Sequence, residues 1–414
     1  MGVMYFSNGS KYEGQWKNGK RNGKATSWIC YADNKFDVYK GEYIDDKKDG
    51  IGLMTFKNGG KYEGQFKKGK RDGNGTMLFF NGEKYIGEYK DDVREGIGMF
   101  WFKNGSNYEG YFKKDKCDGH GVIYYHNGNK FEGNFKSGSF DGYGVYYYKN
   151  GTKFAGMWKA NKKDGKGVHY FYNGTKNQAY YKEGKVVGLV TSYFTNGDKY
   201  EGQILNGKKE GKGICNYKSG AKYIGEYKNG KREGVGVFYY SNGGIYEGEF
   251  KNDVEQGLGT LYFKNGNYYK GELSKGKLGK GITFCKNGDQ YEGEHQDNKR
   301  QGKGKYFFSN GDVYIGDFFN NKIEGKGVIS FSNGCRYEGE FRYGKRHGMG
   351  YKYDKDGQIE YYGKWKNDKP KLNSGLQLRN SRFRIQGKQQ SVLIPENLPC
   401  VTPVTTVSRQ AEPN

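Results

Sequence analysis

The sequence predicts an all-β fold: an elongated, twisted, single-layer antiparallel β meander built from tandem hairpins of about 23 residues. Three observations predict it. Glycine (71 residues) and tyrosine (40) are both in excess in a chain of 414. Aromatic residues make up 17%, although hydrophobic residues as a whole reach only 34%. One aromatic–polar–glycine triplet also returns at a fixed step along most of the chain.

Composition narrows the class first. A mean hydropathy of −1.03 suggests disorder, but disordered chains are poor in aromatics and this one is rich in them. Five prolines and no three-residue period exclude collagen. What remains is an ordered β protein that packs on rings in place of Leu, Ile and Val.

The period starts from Tyr12-Glu13-Gly14-Gln15-Trp16. It returns at Tyr39-Lys40-Gly41, Tyr62-Glu63-Gly64, Tyr85-Ile86-Gly87, Tyr108-Glu109-Gly110, Phe131-Glu132-Gly133 and Phe154-Ala155-Gly156. It resumes at Tyr200, Tyr223, Tyr246, Tyr269, Tyr291, Tyr314, Tyr337 and Tyr361. From Tyr39 to Phe154 every step is 23 residues, and the 46 residues from Phe154 to Tyr200 place a degenerate copy at Asn177, giving sixteen registers.

Each copy reads as two strands. Tyr62-Glu63-Gly64-Gln65-Phe66 alternates ring or glycine with polar residues, the period-2 mark of a half-buried strand. A turn over Lys67–Asp72 precedes a second strand from Gly73, with Gly75, Met77 and Phe79 on its inner face. Asn81-Gly82 closes the copy, as does Asn58-Gly59, Asn104-Gly105 or Asn310-Gly311 elsewhere. Asn-Gly is read here as a turn with φ > 0 at both positions. A glycine inside a strand is costly unless another group must approach the backbone closely, and a ring laid over it on the neighbouring strand supplies that reason. Tyr12, Gly14, Trp16, Tyr62, Gly64, Phe66, Tyr223, Gly225, Tyr246, Gly248, Tyr337 and Gly339 are therefore expected to build the repeat core. The rival use of the rings, as a carbohydrate- or base-stacking platform, needs them exposed.

The run Tyr337-Glu338-Gly339-Glu340-Phe341-Arg342-Tyr343-Gly344-Lys345-Arg346-His347-Gly348-Met349-Gly350 closely resembles the MORN repeat, and Tyr223 to Gly236 is nearly as good. The resemblance covers about nine-tenths of the chain. It implies the elongated meander and a scaffolding role, as in radial-spoke head proteins of cilia, cytoskeletal rings and junctophilins that tether membranes. Some relatives carry a lipid kinase or SET methyltransferase domain after the repeats, and here only about 45 residues follow Pro370.

Two strands per copy at about 4.8 Å each advance an uninterrupted array by roughly 10 Å per repeat, on the order of 150 Å for sixteen. Strand twist of about −20 to −25° per pair predicts a rolled rod. The array is expected over residues 1–369, with a flexible arm or docking peptide, or plain disorder, over 370–414. At Asn177-Gln178-Ala179 both ring and glycine are lost, and Lys185-Val186-Val187-Gly188-Leu189-Val190 replaces the basic turn, so residues 177–190 are a bend, a docking surface or a decayed copy.

Net charge is +24, which favours an acidic partner without choosing one. Lys20, Arg21, Lys70, Arg71, Lys113, Lys114, Lys231, Arg232, Lys299, Arg300, Lys345 and Arg346 are read as falling in the same turn of their repeats. On a regular ribbon they make a basic edge for an acidic protein or phospholipid, or a merely solvated one.

Six dispersed cysteines make neither a disulfide framework nor a zinc pattern, and a reducing intracellular compartment is expected. No apolar run suits a bilayer span, and the N-terminus reads as neither a secretory nor a matching myristoylation signal. No GxxxxGK[ST] or Gly-x-Ser-x-Gly motif appears, and the five histidines are scattered. The expectation is therefore no enzyme, no catalytic or metal site and no cofactor. The function expected is a non-enzymatic scaffold binding cytoskeletal or axonemal proteins in a microtubule-based assembly, a cilium or flagellum. The alternative is a membrane adapter that holds phosphoinositides. An accessory subunit of an enzyme leaves no trace in the residues, and nucleic acid rests on charge alone. Open end strands leave homodimer pairing available.

Overall fold

The computed structural model describes residues 1–33 and 35–371. Every element found there is a strand. The chain divides into two compact units, Met1–Gly197 and the residues from Asp198 onward, where the sequence alone suggested one array. The first unit holds seventeen strands, Gly2–Tyr5 through Lys185–Tyr193, and the second sixteen, Lys199–Leu205 through Lys369–Pro370. Within each unit every strand pairs antiparallel with the next in sequence, as Lys61–Lys67 with Lys70–Leu78 and Lys70–Leu78 with Lys84–Lys90. The last strand contains Pro370, opposite Trp365, so the array runs slightly past the boundary read from sequence. The rest of the expected arm, 372–414, lies outside the described residues.

Two turn types alternate. Lys68-Gly69 closes Lys67 onto Lys70 with both residues left-handed (φ 49° and 91°), the two-residue hairpin turn. Asn81-Gly82 belongs to the other type, which corrects the sequence reading. Only Gly82 is left-handed (φ 88°). Its N–H donates to the Phe79 carbonyl (3.0 Å), and the Phe79 N–H donates to that of Glu83 (2.9 Å). That is a three-residue loop ending in a left-handed glycine. The Asn81 side chain accepts from the Glu83 N–H at 3.1 Å, so Asn is selected as a local acceptor.

The core face follows the ring-and-glycine reading. Gly64 stands opposite Gly75 and Gly75 opposite Gly87, a row of glycines crossing the strands. The Tyr62 ring lies over its own glycine and the one across: a Cβ on Gly75 would sit 2.3 Å from the Tyr62 hydroxyl oxygen. That hydroxyl donates to the Gln65 carbonyl at 3.0 Å, where the paired strand bulges. Tyr12, Tyr62, Tyr223, Tyr246 and Tyr337 are all 0% exposed, Phe66 is buried and Trp16 half-buried. The rings meet edge to face, Tyr62 with Phe66 and with Tyr89 at 5.2 Å each, a favoured geometry for aromatic pairs.

The degenerate copy obeys the same geometry by inverting it. His169 pairs with Asn177, Gly167 with Ala179, and Gln178 with Thr191, so the ladder passes through residues 177–190 in the usual register. Asn177 stands where the ring should be, while Ala179 and Val190 occupy the two glycine positions and are both buried. Ring and glycines are exchanged together: the copy that lacks the ring is the one with buried side chains at both glycine positions.

Candidate interaction surfaces

The tight-turn edge carries the basic pairs, and the two members of a pair do different things. Arg71 turns inward. Its guanidinium stands 5.7 Å from the Tyr62 ring centre and 4.8 Å from that of Tyr89. Its Nε lies 3.1 Å from Asp92 Oδ1, and its Nη2 donates to the Asp92 carbonyl at 2.7 Å. The Arg71 backbone N–H also donates to Asp92 Oδ1 (3.0 Å). The same clamp ties Arg21 to Asp46, Arg94 to Asp115, Arg232 to Asp253 and Arg346 to Asp368. Arg300, fully buried, reaches the Asn321 carbonyl at 3.1 Å. These arginines join one repeat to the turn of the next, and this removes them from the candidate binding edge.

The lysines point outward but are partly neutralised. Lys70 lies 3.1 Å from Asp91 and Lys20 3.9 Å from Asp45, in each case an acid on the next tight turn. Lys231, Lys299 and Lys345 begin their strands at the same register. Lys113 and Lys114 do not share it: Lys113 ends its strand and Lys114 is a left-handed turn residue, so the equivalents of Lys70 and Arg71 are Lys116 and Cys117. Burial raises the Cys117 thiol to about 11. The Arg21 backbone N–H, and then its side chain, hold the Asp46 carboxyl below its ordinary range. Sequence reasoning missed the clamping aspartates. Their signal was available as an Arg followed 21 residues later by an Asp at Arg71, Arg94 and Arg232, and 25 and 22 residues later at Arg21 and Arg346.

The face opposite the rings was also missed. Because the core face carries glycine at the middle of most strands, the opposite face is built from the residues on either side of it. In the first unit it has three parallel rows. One alternates lysines with rings: Tyr124, Lys130, Tyr147, Lys153, Tyr170, Lys176 and Tyr193 are successive cross-strand neighbours. A middle row runs Val122, Glu132, Val145, Ala155, Val168, Gln178 and Thr191. The third carries Ile97, Tyr143 and Leu189, which are 54%, 56% and 64% exposed, together with Tyr111, Met157 and Tyr180, and is interrupted by His120, Asn134 and Lys166. In the second unit the same face forms an open groove of about 1020 Å³, with Ile282, Glu292, Lys305, Ile315, Val328 and Glu338 across its middle and Lys303, Lys326 and Glu340 along one side.

Among the described residues no three His, Cys, Asp or Glu side chains cluster as metal ligands. No helix there is long and apolar enough to cross a membrane. His169 and His295 are packed among rings, and burial lowers both to about 4.

The family model for the MORN repeat matches fourteen segments: 12–28, 39–61, 62–84, 85–107, 108–130, 131–153, 154–176, 200–222, 223–245, 246–268, 269–290, 291–313, 314–336 and 337–359. The chain belongs to the MORN-repeat family. The copy skipped between 176 and 200 is the one in which Asn177 replaces the ring. No curated protein matches the chain. Among solved structures, the TCP domain of Drosophila melanogaster SAS-4 (dCPAP), in complex with a proline-rich motif of Ana2 (dSTIL), is similar at 18% identity. That match covers 38% of this MORN chain and 85% of the domain, at a TM-score of 0.27. The E1021V mutant of the TCP10 domain of Danio rerio CPAP is similar at 11% identity over 76% of this chain and 99% of that one, at a TM-score of 0.14.

Proposed function

We propose that this MORN array is a non-enzymatic scaffold that holds protein partners of a microtubule-based assembly, a cilium or flagellum, against its glycine-backed face. The observation that carries the reading is the division of labour between surfaces. The repeat rings, Tyr62 and its equivalents, are consumed by the core and the turn arginines by clamps between repeats. The face opposite the rings is left with large exposed apolar side chains in the first unit and an open groove in the second. Large apolar side chains left exposed on one face favour a protein interaction site. The family resemblance supplies the microtubule setting. The phosphoinositide alternative retains only the turn lysines, several of which already face a carboxylate.

Localisation of the tagged full chain in ciliated cells tests this reading. Enrichment on basal bodies or axonemes is expected. Diffuse cytosol would overturn it, and so would membrane enrichment that disappears when Lys20, Lys70, Lys231 and Lys345 become Glu.

A further inference from the structure

We infer that the wide-loop edge of the first unit binds an acidic peptide segment in the polyproline II conformation, with an acid at every third position and an apolar residue at each end. This edge is separate from the glycine-backed face, and the inference does not rest on the function proposed for that face.

The edge is a row of loop tips. Five successive three-residue loops present Phe80, Lys103, His126, Lys149 and Tyr172 at one equivalent position, each just before the Asn-Gly pair of its loop. All five residues are exposed, Phe80 and Tyr172 to 71% and 79%. The loops are fastened to one another. The His126 N–H donates to Ser106 Oγ (3.2 Å) and the Lys149 N–H to Asn129 Oδ1 (2.9 Å), each on the preceding loop. The side chains also lie back over the left-handed glycine of that loop. A Cβ on Gly128 would come 3.2 Å from Lys149 Cδ, and one on Gly105 would come 3.6 Å from His126 Cβ. The row is thus set by the fold, which leaves less side-chain freedom to lose on binding.

Charge chooses the ligand's sign. Lys20, Lys70 and Lys162 on the tight turns each face a carboxylate. Among the described residues Lys103 and Lys149 form no ion pair. Glu83, on the loop of Phe80, already accepts from the Asn81 side chain at 3.0 Å. The middle of the row is therefore basic and its two ends are aromatic. In the second unit the same position holds Lys218, Ser241, Lys264, Lys286, Ser309 and Ser332, with no ring, so the pattern belongs to the first unit.

Spacing chooses the ligand's conformation. Consecutive loops are two strands apart, a step of roughly 9.6 Å. A polyproline II chain has three residues per turn and rises 3.1 Å per residue, so every third side chain points the same way at about 9.3 Å. A β-strand sends its third residue to the opposite face, and its same-face neighbours fall at about 6.6 or 13 Å. Residues i and i+7 of an α-helix are about 10.5 Å apart, a mismatch that grows to roughly 4 Å over the four steps of the row. The polyproline II mismatch over the same distance is about 1 Å. Acids three residues apart then meet Lys103, His126 and Lys149. Apolar residues three positions further out on each side meet Phe80 and Tyr172.

The test uses the full chain and a synthetic 13-residue peptide with Leu at both ends, Glu at its fourth, seventh and tenth positions and Pro elsewhere, measured by fluorescence anisotropy at physiological salt. Binding in the tens of micromolar is expected. A peptide of the same composition whose three Glu residues are adjacent should bind at least fivefold more weakly. Lys103→Glu with Lys149→Glu should weaken binding at least tenfold, and replacing the peptide's Glu residues by Lys should restore it in that variant. The same charge change on the tight turns, Lys70→Glu with Lys162→Glu, should alter binding less than twofold. Phe80→Ser with Tyr172→Ser should weaken it at least threefold. Equal binding of the two peptides, equal loss with either pair of lysines, or no binding overturns the inference. So does an oligonucleotide or a phosphoinositide vesicle whose binding needs Lys103 and Lys149 and which the peptide fails to displace. All the altered side chains are at the surface, and an unchanged thermal unfolding curve confirms each variant's fold.

Discussion

The Tyr62 ring lies close against Gly75 of the neighbouring strand: a Cβ added to that glycine would come within 2.5 Å of the ring carbon Cε2. Tyr62 and Gly75 are one packing unit split between two strands, and the same unit recurs as Tyr85 with Gly98 and Tyr223 with Gly236. Overpacking at such a site costs about 1–3 kcal/mol. Gly75→Ala should therefore destabilise its neighbourhood by roughly 2 kcal/mol or more, read as faster hydrogen exchange over 61–90. Unchanged protection there would show that the ring moves aside freely.

The copy at Asn177 supplies a converse. Tyr62→Asn alone should cost about 3–5 kcal/mol, as large-to-small changes at buried aromatics do. Combined with Gly64→Ala and Gly75→Val, it should cost at least about 1 kcal/mol less than the three separate effects summed. Denaturant unfolding of the single and triple variants measures this. Strict additivity would mean that Ala179 and Val190 arose independently of the missing ring.

The clamp predicts an asymmetry between adjacent basic residues. Arg71→Ala removes bonds to Asp92 and the cover over two rings, and should lower stability by about 1–2 kcal/mol. Lys70→Ala removes an exposed ion pair and should change it by less than about 0.5 kcal/mol. Thermal unfolding of the two variants decides, and equal losses would contradict the assignment.

His295 makes the second unit sensitive to mild acid. Its imidazole is buried, with Nδ1 3.1 Å from the Gly279 carbonyl and Nε2 3.1 Å from Thr283 Oγ1. Burial lowers it to about 4, opposed by the Gly279 bond and helped by Arg300. The folded chain therefore holds it neutral while the unfolded chain protonates near 6.5. Stability from this residue is complete above pH 6.5 and is lost as pH falls toward 4, by about 3 kcal/mol. His295→Phe, which restores the ring found at Phe318 and Phe341, should flatten that slope between pH 6.5 and 4 as read by hydrogen exchange over 269–306. A slope unchanged in the variant would place the acid sensitivity elsewhere.

The strands and the ring–glycine core were legible because their signals are local and repeated many times. The turns were legible only in part. Asn-Gly advertises a left-handed pair, yet Asn81 serves as a side-chain acceptor, while the tight turns use pairs as unremarkable as Ala160-Asn161, with φ of 47° and 67°. The arginine clamp was hidden because Arg71 and Asp92 meet only once two repeats have stacked. Lys113 and Lys114 were misplaced because a basic pair looks alike three residues early. The glycine-backed face escaped notice for a different reason: along each strand its residues read as the polar half of an alternation, and only cross-strand register shows that Tyr143, Met157 and Leu189 share one surface.

The most direct measurement compares two variants of the tagged full chain in ciliated cells, each with an unchanged unfolding temperature. One carries Ile97→Glu, Tyr143→Glu and Leu189→Glu on the glycine-backed face; the other carries Lys20→Glu, Lys70→Glu, Lys231→Glu and Lys345→Glu on the turn edge. Recruitment to the axoneme should be lost in the first and kept in the second. The reverse pattern, loss with the turn lysines and retention with the altered face, would contradict the central claim.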